Sequence, residues 1–376
     1  MAKKYIINNE NKPYIFPTVL KIFRRLPLQN HFSYENFTQT ALFPLLEDAV
    51  FQKQFPAKTR HKTYLTNGAK SGFIATVLQF SKKYDTVIIP APMWPGYKRV
   101  CAGLERKIEM FPLINETQQF NLWNFMEKTK NVAQVQKTII VVLNTPCHNP
   151  TGYSLTLCEI KKIITFLNEI SEEYNAKIIL YLDMVCMDYE PNFLGNNYIF
   201  EELNHISKNI LVLVQYSMSK ALGMFGTGIG SITGITKNKE LFHLFNDKIQ
   251  TFSVCLTSNT NTIASDIFKK IYTNEERKAH LHLEQNMFAI ELKERALIFQ
   301  KEAENYGIQT LPYKSGWRIC MICQNADEIN KRLNREEVYS FKKGLAVSLY
   351  QLPQHKIAPL VQKIYLLTKE VFGKYA

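Results

Sequence analysis

The stretch NILVLVQYSMSK, residues 209–220, joins an unbroken apolar run to a polar end that closes on a lysine. Three other runs of similar apolar character are DTVIIPAP (85–92), KTIIVVLNTP (137–146) and AKIILYLDMV (176–185). Runs rich in Ile, Val and Leu without alternation are typical of strands that are buried on both faces of a parallel sheet. We therefore predict that these four segments are strands of such a sheet.

Helix-like segments separate these runs. In SLTLCEIKKIITFLNEISEEYN (154–175), apolar residues recur every three or four positions with charged residues on the opposite face. Alternating strands and helices predict an α/β fold, in which ligands bind outside the carboxyl ends of the strands. We therefore expect Asn149, Asp183 and Lys220, which follow or end these runs, to converge on one site.

The pattern changes beyond about residue 275. A long charged helical stretch at 274–307 leads out of the region of strands, and GWRICMIC (316–323) and GLAVSLYQLP (344–353) are typical of two strands in a compact subdomain. The predicted division is an N-terminal segment of a small domain (1–45), a large domain (46–280) and a C-terminal small domain (281–376) that the long helix enters.

The composition is that of a folded protein. With 46% hydrophobic and 21% charged residues, the 376-residue chain is long enough to bury a large core. The seven cysteines are scattered and no histidine cluster has ligand spacing, so we expect buried thiols and no metal site. The amino terminus lacks a secretory apolar region and no apolar stretch approaches the roughly 20 residues that span a bilayer, so we expect a cytoplasmic protein with no membrane partner.

The formal charge of +13 raises the question of nucleic-acid binding. However, the basic residues are interspersed with acidic ones and form no dense block, so we expect no nucleic-acid partner. Local positive charge serves an anionic cofactor or substrate equally well.

Five motifs together carry a resemblance to a known family. They are TNGAKSG (66–72), PAPMWPGY (90–97), NTPCHNPTG (144–152), LDMVCMDY (182–189) and SMSK (217–220). In this order and spacing they resemble the class I/II aminotransferases, which are pyridoxal-phosphate (PLP) enzymes of fold type I. The resemblance implies a large α/β domain with a mostly parallel, seven-stranded-type sheet flanked by helices, a smaller α+β domain built from the N- and C-terminal segments, and a homodimer.

The resemblance also implies roles for individual residues. Lys220 would form an imine with the cofactor aldehyde, because a desolvated lysine is a competent nucleophile. Asp183 would keep the pyridine nitrogen protonated, so that the ring can act as an electron sink. Asn149 would donate to the phenolic oxygen, and Trp94 would cover the face of the ring.

The cofactor phosphate would be held by backbone amides at a helix start and by hydroxyl groups. The segment NGAKSG suits this role, and the resemblance implies contacts from Gly68, Ala69 and Ser217. Lys70 lies within the same turn, where the family usually has a small hydroxyl residue. Its ammonium group would either neutralise the phosphate or point to solvent.

Four positions depart from the family pattern. Gly228 stands where an arginine normally clamps the phosphate, and Cys186 stands beside the cofactor where a tyrosine normally donates to the phenolic oxygen. Phe37 aligns with a tyrosine that reaches the phosphate from the neighbouring subunit. Ala346 stands where an arginine normally binds the substrate α-carboxylate.

These departures leave several functions open. The first is a PLP-dependent aminotransferase that acts on an unusual amine or amino acid, for which aspartate and glutamate would be poor donors. The alternatives are a PLP-dependent lyase, decarboxylase or oxidase, or an inactive binding or assembly protein. Trp317 and Arg318 are candidate substrate contacts, with Arg318 a possible replacement for the missing carboxylate anchor. Alternation along a strand predicts that only one of these two side chains faces the cleft.

Overall fold

The computed structural model describes residues 15–31, 39–52, 54–192, 198–256, 261–335 and 337–373. Within these ranges the main sheet has seven strands: β1 (Arg60–Thr66), β2 (Thr86–Ala91), β3 (Lys107–Pro112), β4 (Thr138–Asn144), β5 (Lys177–Asp183), β6 (Ile210–Tyr216) and β7 (Gly230–Thr236). Their order across the sheet is β1-β7-β6-β5-β4-β2-β3. Only the pairings of β7 with β1 and with β6 are antiparallel. The predicted mostly parallel sheet is confirmed.

The four apolar runs form β2, β4, β5 and β6, which are neighbours in this sheet. Successive residues of β4 pack into two different hydrophobic clusters on opposite faces of the sheet: Ile139 and Val141 join one, and Ile140 and Val142 join the other. Both faces of these strands are therefore covered, which explains why their sequences are continuously apolar.

The helices of the described residues are α1 (Pro17–Phe23), α2 (Phe43–Phe51), α3 (Gly68–Phe80), α4 (Pro95–Gly103), α5 (Leu122–Val135), α6 (Leu157–Glu173), α7 (Tyr198–Glu202), α8 (Met218–Ala221), α9 (Lys239–Leu256), α10 (Thr262–Tyr272), α11 (Glu275–Asn305), α12 (Ala326–Leu333) and α13 (Ile357–Gly373). The start of α6 is fixed by a capping box, because the Thr156 hydroxyl accepts from the Glu159 N–H and the Glu159 carboxylate accepts from the Thr156 N–H. None of these helices combines the length and the hydropathy that crossing a bilayer requires.

A smaller antiparallel sheet follows α11. It contains β8 (Arg318–Ile322), β9 (Val338–Phe341) and β10 (Gly344–Ser348) in the order β8-β10-β9. The strands expected near 316–323 and 344–353 are present as β8 and β10, whereas β9 was not predicted because its four residues are too short for a periodic signal. The domain boundaries at 45/46 and 280/281 stay a prediction, and α11 runs through the second of them.

Cys320 and Cys323 have the C-x-x-C spacing that is common to zinc and redox sites, a feature that the sequence interpretation overlooked. Both are free, buried thiols, and burial raises the pKa of each above its ordinary value. Among the described residues, no group of three His, Cys, Asp or Glu side chains could hold a metal ion. The two thiols have different neighbours: Cys320 Sγ donates to the Pro150 carbonyl at 3.3 Å, and Cys323 Sγ lies 4.0 Å from Thr368 Oγ1.

Candidate active site

Residues at the carboxyl ends of β4, β5 and β6 surround a cavity of about 380 Å³, called here the inner cavity. Its walls include Asn149, Asp183 and Lys220, so the structure brings together the three residues that the strand pattern singled out. The remaining lining residues are Asn67, Gly68, Ala69, Lys70, Phe73, Trp94, Tyr97, Asn144, Tyr181, Val185, Ser217, Ser219, Phe225 and Gly228.

Asp183 is the last residue of β5 and its side chain is buried. One carboxylate oxygen accepts a hydrogen bond from the Tyr97 hydroxyl, and the other accepts from the Val185 N–H at 3.3 Å. Burial raises the pKa of Asp183, and the nearby Lys220 ammonium opposes that shift. Asp183 forms no ion pair with a described residue, so a cationic group in the inner cavity would find a buried carboxylate without a salt-bridge partner.

Asn149 lies in the loop after β4, where its N–H donates to Asn144 Oδ1 at 2.7 Å. Arg318 Nη1 donates to Asn149 Oδ1 at 3.0 Å. A guanidinium group has donors only, so the amide must present its oxygen to Arg318. The Nδ2 group of Asn149 therefore remains as the donor that this side chain can offer to the cavity.

Lys220 lies in α8, the short helix that follows β6. Its Nζ atom is 4.9 Å from the centroid of the Trp317 ring, and the Tyr189 hydroxyl donates to its backbone carbonyl at 2.8 Å. Trp317 directly precedes β8, and of Trp317 and Arg318 only Arg318 is a cavity-lining residue. The expectation that only one of these two side chains faces the cleft stays a prediction. Trp317 contacts Lys220 while Arg318 contacts Asn149.

The first turn of α3 also forms part of the wall of the inner cavity. Gly68, Ala69 and Lys70 line it there, and Ser217, which directly precedes α8, lines it as well. N–H groups in the first turn of a helix have no partner within the helix, and the helix dipole adds positive potential. The part of the cavity beside the first turn of α3 is therefore suited to an anion.

The glycine at position 72 allows α3 to approach β6 closely. A Cβ atom on Gly72 would lie 1.7 Å from Gln215 Oε1, so only glycine permits this approach of the helix to β6. Gln215 is fully buried, and its Nε2 donates to the carbonyls of Tyr216 and Ser231 at 2.9 and 2.8 Å. The close contact holds the start of α3 beside the end of β6.

Trp94 directly precedes α4 and lines the inner cavity. Its ring meets the Tyr97 ring edge to face, with centroids 5.3 Å apart. A Cβ atom on Gly96 would lie 2.1 Å from the indole, so glycine at this position leaves room for the ring. The structure thus places an aromatic side chain on the cavity wall, as the motif indicated.

The positions that depart from the family pattern have different surroundings. Gly228 lines the inner cavity with a φ of 60°, and a Cβ atom there would meet nothing within 4 Å. Cys186 is buried but is not among the lining residues, and burial raises the pKa of its thiol to about 12. Its role as a cofactor contact stays a prediction. Phe37 lies outside the described residues.

A second cavity of about 570 Å³, called here the outer cavity, shares Lys70 and Trp94 with the inner one. It lies between α4 and the smaller sheet and contains the predicted substrate contact Arg318 and the departing residue Ala346. Its other lining residues are Ile74, Met93, Pro95, Gly96, Arg99, Val100, Gly103, Leu104, Pro150, Tyr339, Ser340 and Phe341. Most of its wall is apolar.

Sequence reasoning missed eight of the residues that line the inner cavity, Tyr97 and Phe225 among them. Tyr97, which donates to Asp183, closes the motif PAPMWPGY, and this position in the motif was a signal that could have identified it. Phe225 packs 5.4 Å from the Trp317 ring, and no sequence pattern marks it. Its position depends on how the smaller sheet lies against the larger one.

Comparison with known families identifies the chain. The model of the family described as aminotransferase class I and II matches residues 8–345. The chain belongs to this family. The family resemblance that the five motifs indicated is confirmed.

The curated relatives of this chain are distant. Aromatic-amino-acid aminotransferase of Escherichia coli (strain K12) is 25% identical over 211 residues, which cover 54% of this chain and 49% of that protein. 1-aminocyclopropane-1-carboxylate synthase 3 of Solanum lycopersicum is 24% identical over 267 residues, which cover 67% of this chain and 52% of that protein. The chain thus spans about half the length of these relatives.

Solved structures of similar proteins agree along nearly the whole chain. An aminotransferase from Anaerococcus prevotii has a TM-score of 0.87 at 24% identity and covers 94% of this chain and 87% of its own. An aromatic-amino-acid aminotransferase from Burkholderia pseudomallei, covalently bound to pyridoxal phosphate, has a TM-score of 0.74 at 16% identity and covers 96% and 90%. Both show that the chain shares their fold.

Proposed function

We propose that the protein is a PLP-dependent aminotransferase in which Lys220 holds the cofactor covalently. One observation carries this proposal: the Lys220 ammonium and the buried Asp183 carboxylate lie on the walls of one cavity that the first turn of α3 also borders. Membership of the class I and II aminotransferases supports the proposal. So does the likeness in fold to a Burkholderia pseudomallei enzyme that is covalently bound to pyridoxal phosphate.

The polar groups around the inner cavity fit the ring of PLP. Asp183 is buried without an ion-pair partner among the described residues, which suits a protonated ring nitrogen. Arg318 occupies Asn149 Oδ1, so the Nδ2 donor suits the anionic phenolic oxygen. Trp94 supplies an aromatic face on the same wall.

The groups at the start of α3 fit the phosphate. The amides of Gly68 and Ala69 and the hydroxyl of Ser217 would hold it, and Lys70 would add a positive charge. Gly228 replaces the family's arginine, so this site has lost a bidentate partner. Lys70 is exposed and forms no ion pair with a carboxylate of the described chain, which leaves its charge available for the phosphate.

When bound, PLP supplies an electron sink that stabilises negative charge on the substrate carbon. The Lys220 amine is the group of this chain that is placed to carry a proton to and from that carbon. The Trp317 ring lies 4.9 Å from Lys220 Nζ, and Phe225 packs against that ring. Asp183, which accepts hydrogen bonds from Tyr97 and Val185, would hold the protonated ring nitrogen.

The proposal is tested by loading the purified protein with PLP, reducing it with borohydride and mapping the modified peptide. We expect an adduct on Lys220, because a covalent bond to this amine becomes permanent on reduction. Lys220→Arg keeps the positive charge but removes the nucleophile, so this variant should bind PLP without forming an adduct. Wild-type protein saturated with PLP but free of an adduct on Lys220 would overturn the proposal.

Transfer of an amino group is tested separately. Amino acids and simple amines are added to the loaded protein, the visible spectrum is recorded, and the released oxo-acid or aldehyde is quantified. An aminotransferase releases one carbonyl product per loaded site in the absence of an acceptor. A spectral change without that product would contradict transamination, although PLP binding would stand.

The state of assembly and the location in the cell belong to the same proposal. A homodimer is expected because the family forms its site across a two-fold interface, and such contacts are the commonest closed assemblies. A cytoplasmic location and the absence of a nucleic-acid partner are also proposed, the latter because the basic residues form no dense block.

A further inference from the structure

We infer that Arg318 binds the substrate carboxylate, in place of the arginine that position 346 lacks, so that the substrate is an amino acid and not a simple amine. The inference rests on the proposed function, since it concerns the substrate of that same site. It narrows the substrate class to amino acids. It also assigns carboxylate binding to Arg318 in β8 instead of position 346 in β10.

The register of the smaller sheet places the two positions on one face. Ala346 in β10 pairs with Cys320 in β8, and Ser348 pairs with Arg318. Directly paired residues of antiparallel strands point to the same side, as do residues two apart on one strand. Arg318 and Ala346 therefore share a face, and both line the outer cavity. An arginine on β8 can thus reach the space that a side chain at position 346 would have entered.

The guanidinium group of Arg318 is held in place but is not neutralised. Its Nη1 donates to Asn149 Oδ1 at 3.0 Å, and its central carbon lies 4.4 Å from the centroid of the Tyr339 ring. It forms no ion pair with an acidic side chain anywhere in the described part of the chain. A guanidinium has five N–H donors, so most of this fork remains for a bidentate carboxylate.

The location of Arg318 suits an anchor next to the reacting amine. Asn149, which accepts its hydrogen bond, lines the inner cavity together with Lys220. Trp317, its neighbour in the chain, has its ring 4.9 Å from Lys220 Nζ. Arg318 lines the outer cavity and its hydrogen-bond partner Asn149 lines the inner one, so a carboxylate on Arg318 would lie where the two sets of lining residues meet.

The outer cavity indicates the side chain of the substrate. Met93, Val100, Leu104 and Phe341 give it an apolar wall. A large apolar or aromatic side chain would be buried there favourably. If Arg318 binds the α-carboxylate, a missing carboxylate anchor no longer explains why aspartate and glutamate would be poor donors. They are then expected to be poor donors because their charged side chains would meet this apolar wall.

The test uses two unreactive probes of the same shape and PLP-loaded wild-type protein. 3-Phenylpropionate carries the carboxylate, and 3-phenylpropanamide has the uncharged amide in its place. Calorimetric titration should give wild-type protein an affinity for the carboxylate about tenfold or more above that for the amide, as a charge-assisted bidentate contact requires. Arg318→Gln should remove this preference, and Arg318→Lys should retain only part of it because an ammonium lacks the fork.

Two further variants separate an anchor from a structural residue. Lys342→Gln removes an exposed cation from the turn between β9 and β10, outside the lining of both cavities, and should leave the preference unchanged. The double variant Arg318→Ala, Ala346→Arg returns the guanidinium to the family position and should restore the preference for the carboxylate. In turnover, Arg318→Gln should raise KM for phenylalanine.

Equal affinity of wild-type protein for the two probes would overturn the inference, and this comparison needs no variant. The inference would also be overturned if Arg318→Gln loads PLP normally and keeps its preference for the carboxylate. If wild-type protein fails to form the PLP adduct on Lys220, the proposed function is wrong, which the adduct mapping detects independently of the two probes.

Discussion

Asp183 is buried, and Asp188, five residues later, is partly buried with a buried Oδ2 atom, but the surroundings of the two carboxyl groups differ. Asp183 lines the inner cavity, whereas Asp188 does not. The Oδ1 atom of Asp188 accepts a hydrogen bond from the Tyr216 hydroxyl at 3.5 Å. Asp188 Oδ2 has no hydrogen-bond partner in the described structure. Burial raises the pKa of Asp188 to about 7, so this carboxyl group holds its proton in the folded protein under conditions where the unfolded chain has released it.

This shift predicts a dependence of stability on pH. Between about pH 4 and pH 7 the folded state binds one more proton than the unfolded state, so the free energy of unfolding falls as pH rises, by at most about 1.4 kcal/mol per pH unit. Below that window both states are protonated, and above it both are ionised. Asp188→Asn cannot titrate, so its stability relative to wild type should rise from pH 5 to pH 7.

Urea unfolding of both proteins at pH 5, 6 and 7 measures this difference. Other carboxyl groups, such as the partly buried Glu190, whose pKa burial also raises to about 7, are common to both proteins and cancel in the comparison. A constant difference in unfolding free energy across this range would contradict a raised pKa for Asp188.

A second prediction at the scale of the residue concerns Lys70. It lines both cavities, and Gly228 cannot supply the charge that the family places at that position. We expect Lys70→Ala to weaken the affinity for PLP about tenfold or more, since a charge-assisted contact to phosphate contributes roughly 1.5–3 kcal/mol. Titration of PLP into apoprotein, followed by absorbance, gives the affinity.

Lys98→Ala is the matched control for Lys70→Ala. Lys98 is an exposed cation of α4 that does not line either cavity, so its loss changes the net charge equally without removing a proposed contact. Equal affinities of Lys70→Ala and Lys98→Ala for PLP would mean that Lys70 points to solvent.

At the scale of the element, the fit of α3 against β6 decides where the phosphate end of the site lies. The Cβ atom in Gly72→Ala would have to displace Gln215, which two backbone hydrogen bonds hold in a fully buried position. Overpacking of this kind typically costs about 1–3 kcal/mol of stability. We expect Gly72→Ala to lower the free energy of unfolding by that amount and to weaken PLP binding by moving the first turn of α3.

Gly103→Ala provides the comparison. Gly103 is the last residue of α4, and a Cβ atom there would meet nothing within 4 Å, so the stability should be unchanged or slightly higher. Chemical unfolding of both variants measures the contrast. Equal effects at the two positions would show that α3 can move away from Gln215 at no cost.

At the scale of the whole molecule, the prediction is a homodimer. Sedimentation at micromolar concentration should give twice the chain mass of 43.7 kDa. The physical reason is that the family completes its site across a two-fold interface, and closed two-fold contacts are the commonest assemblies. A strictly monomeric mass under these conditions would contradict this prediction, while the adduct on Lys220 would still test PLP binding in the single chain.

Much of the fold was predictable from local patterns. The continuously apolar runs predicted β2, β4, β5 and β6, because a strand covered on both faces has no polar side to show. The five motifs identified the family, and the rule that ligands bind at the carboxyl ends of parallel strands brought Asn149, Asp183 and Lys220 to one site. The strands and their shared site needed only periodicity and position along the chain, whereas the family rested on the resemblance of the five motifs to a known family.

What the sequence alone determined about this protein is therefore the α/β architecture, the family and the group of polar residues at the ends of its strands. The tertiary structure alone decided the contacts between distant segments: Arg318 with Asn149, Trp317 with Lys220, and Tyr97 with Asp183. Periodicity reports whether a residue is buried, but it carries no information about which distant side chain it will meet. Those contacts depend on how the smaller sheet and α4 pack against the large sheet, which is settled only when the whole chain is folded.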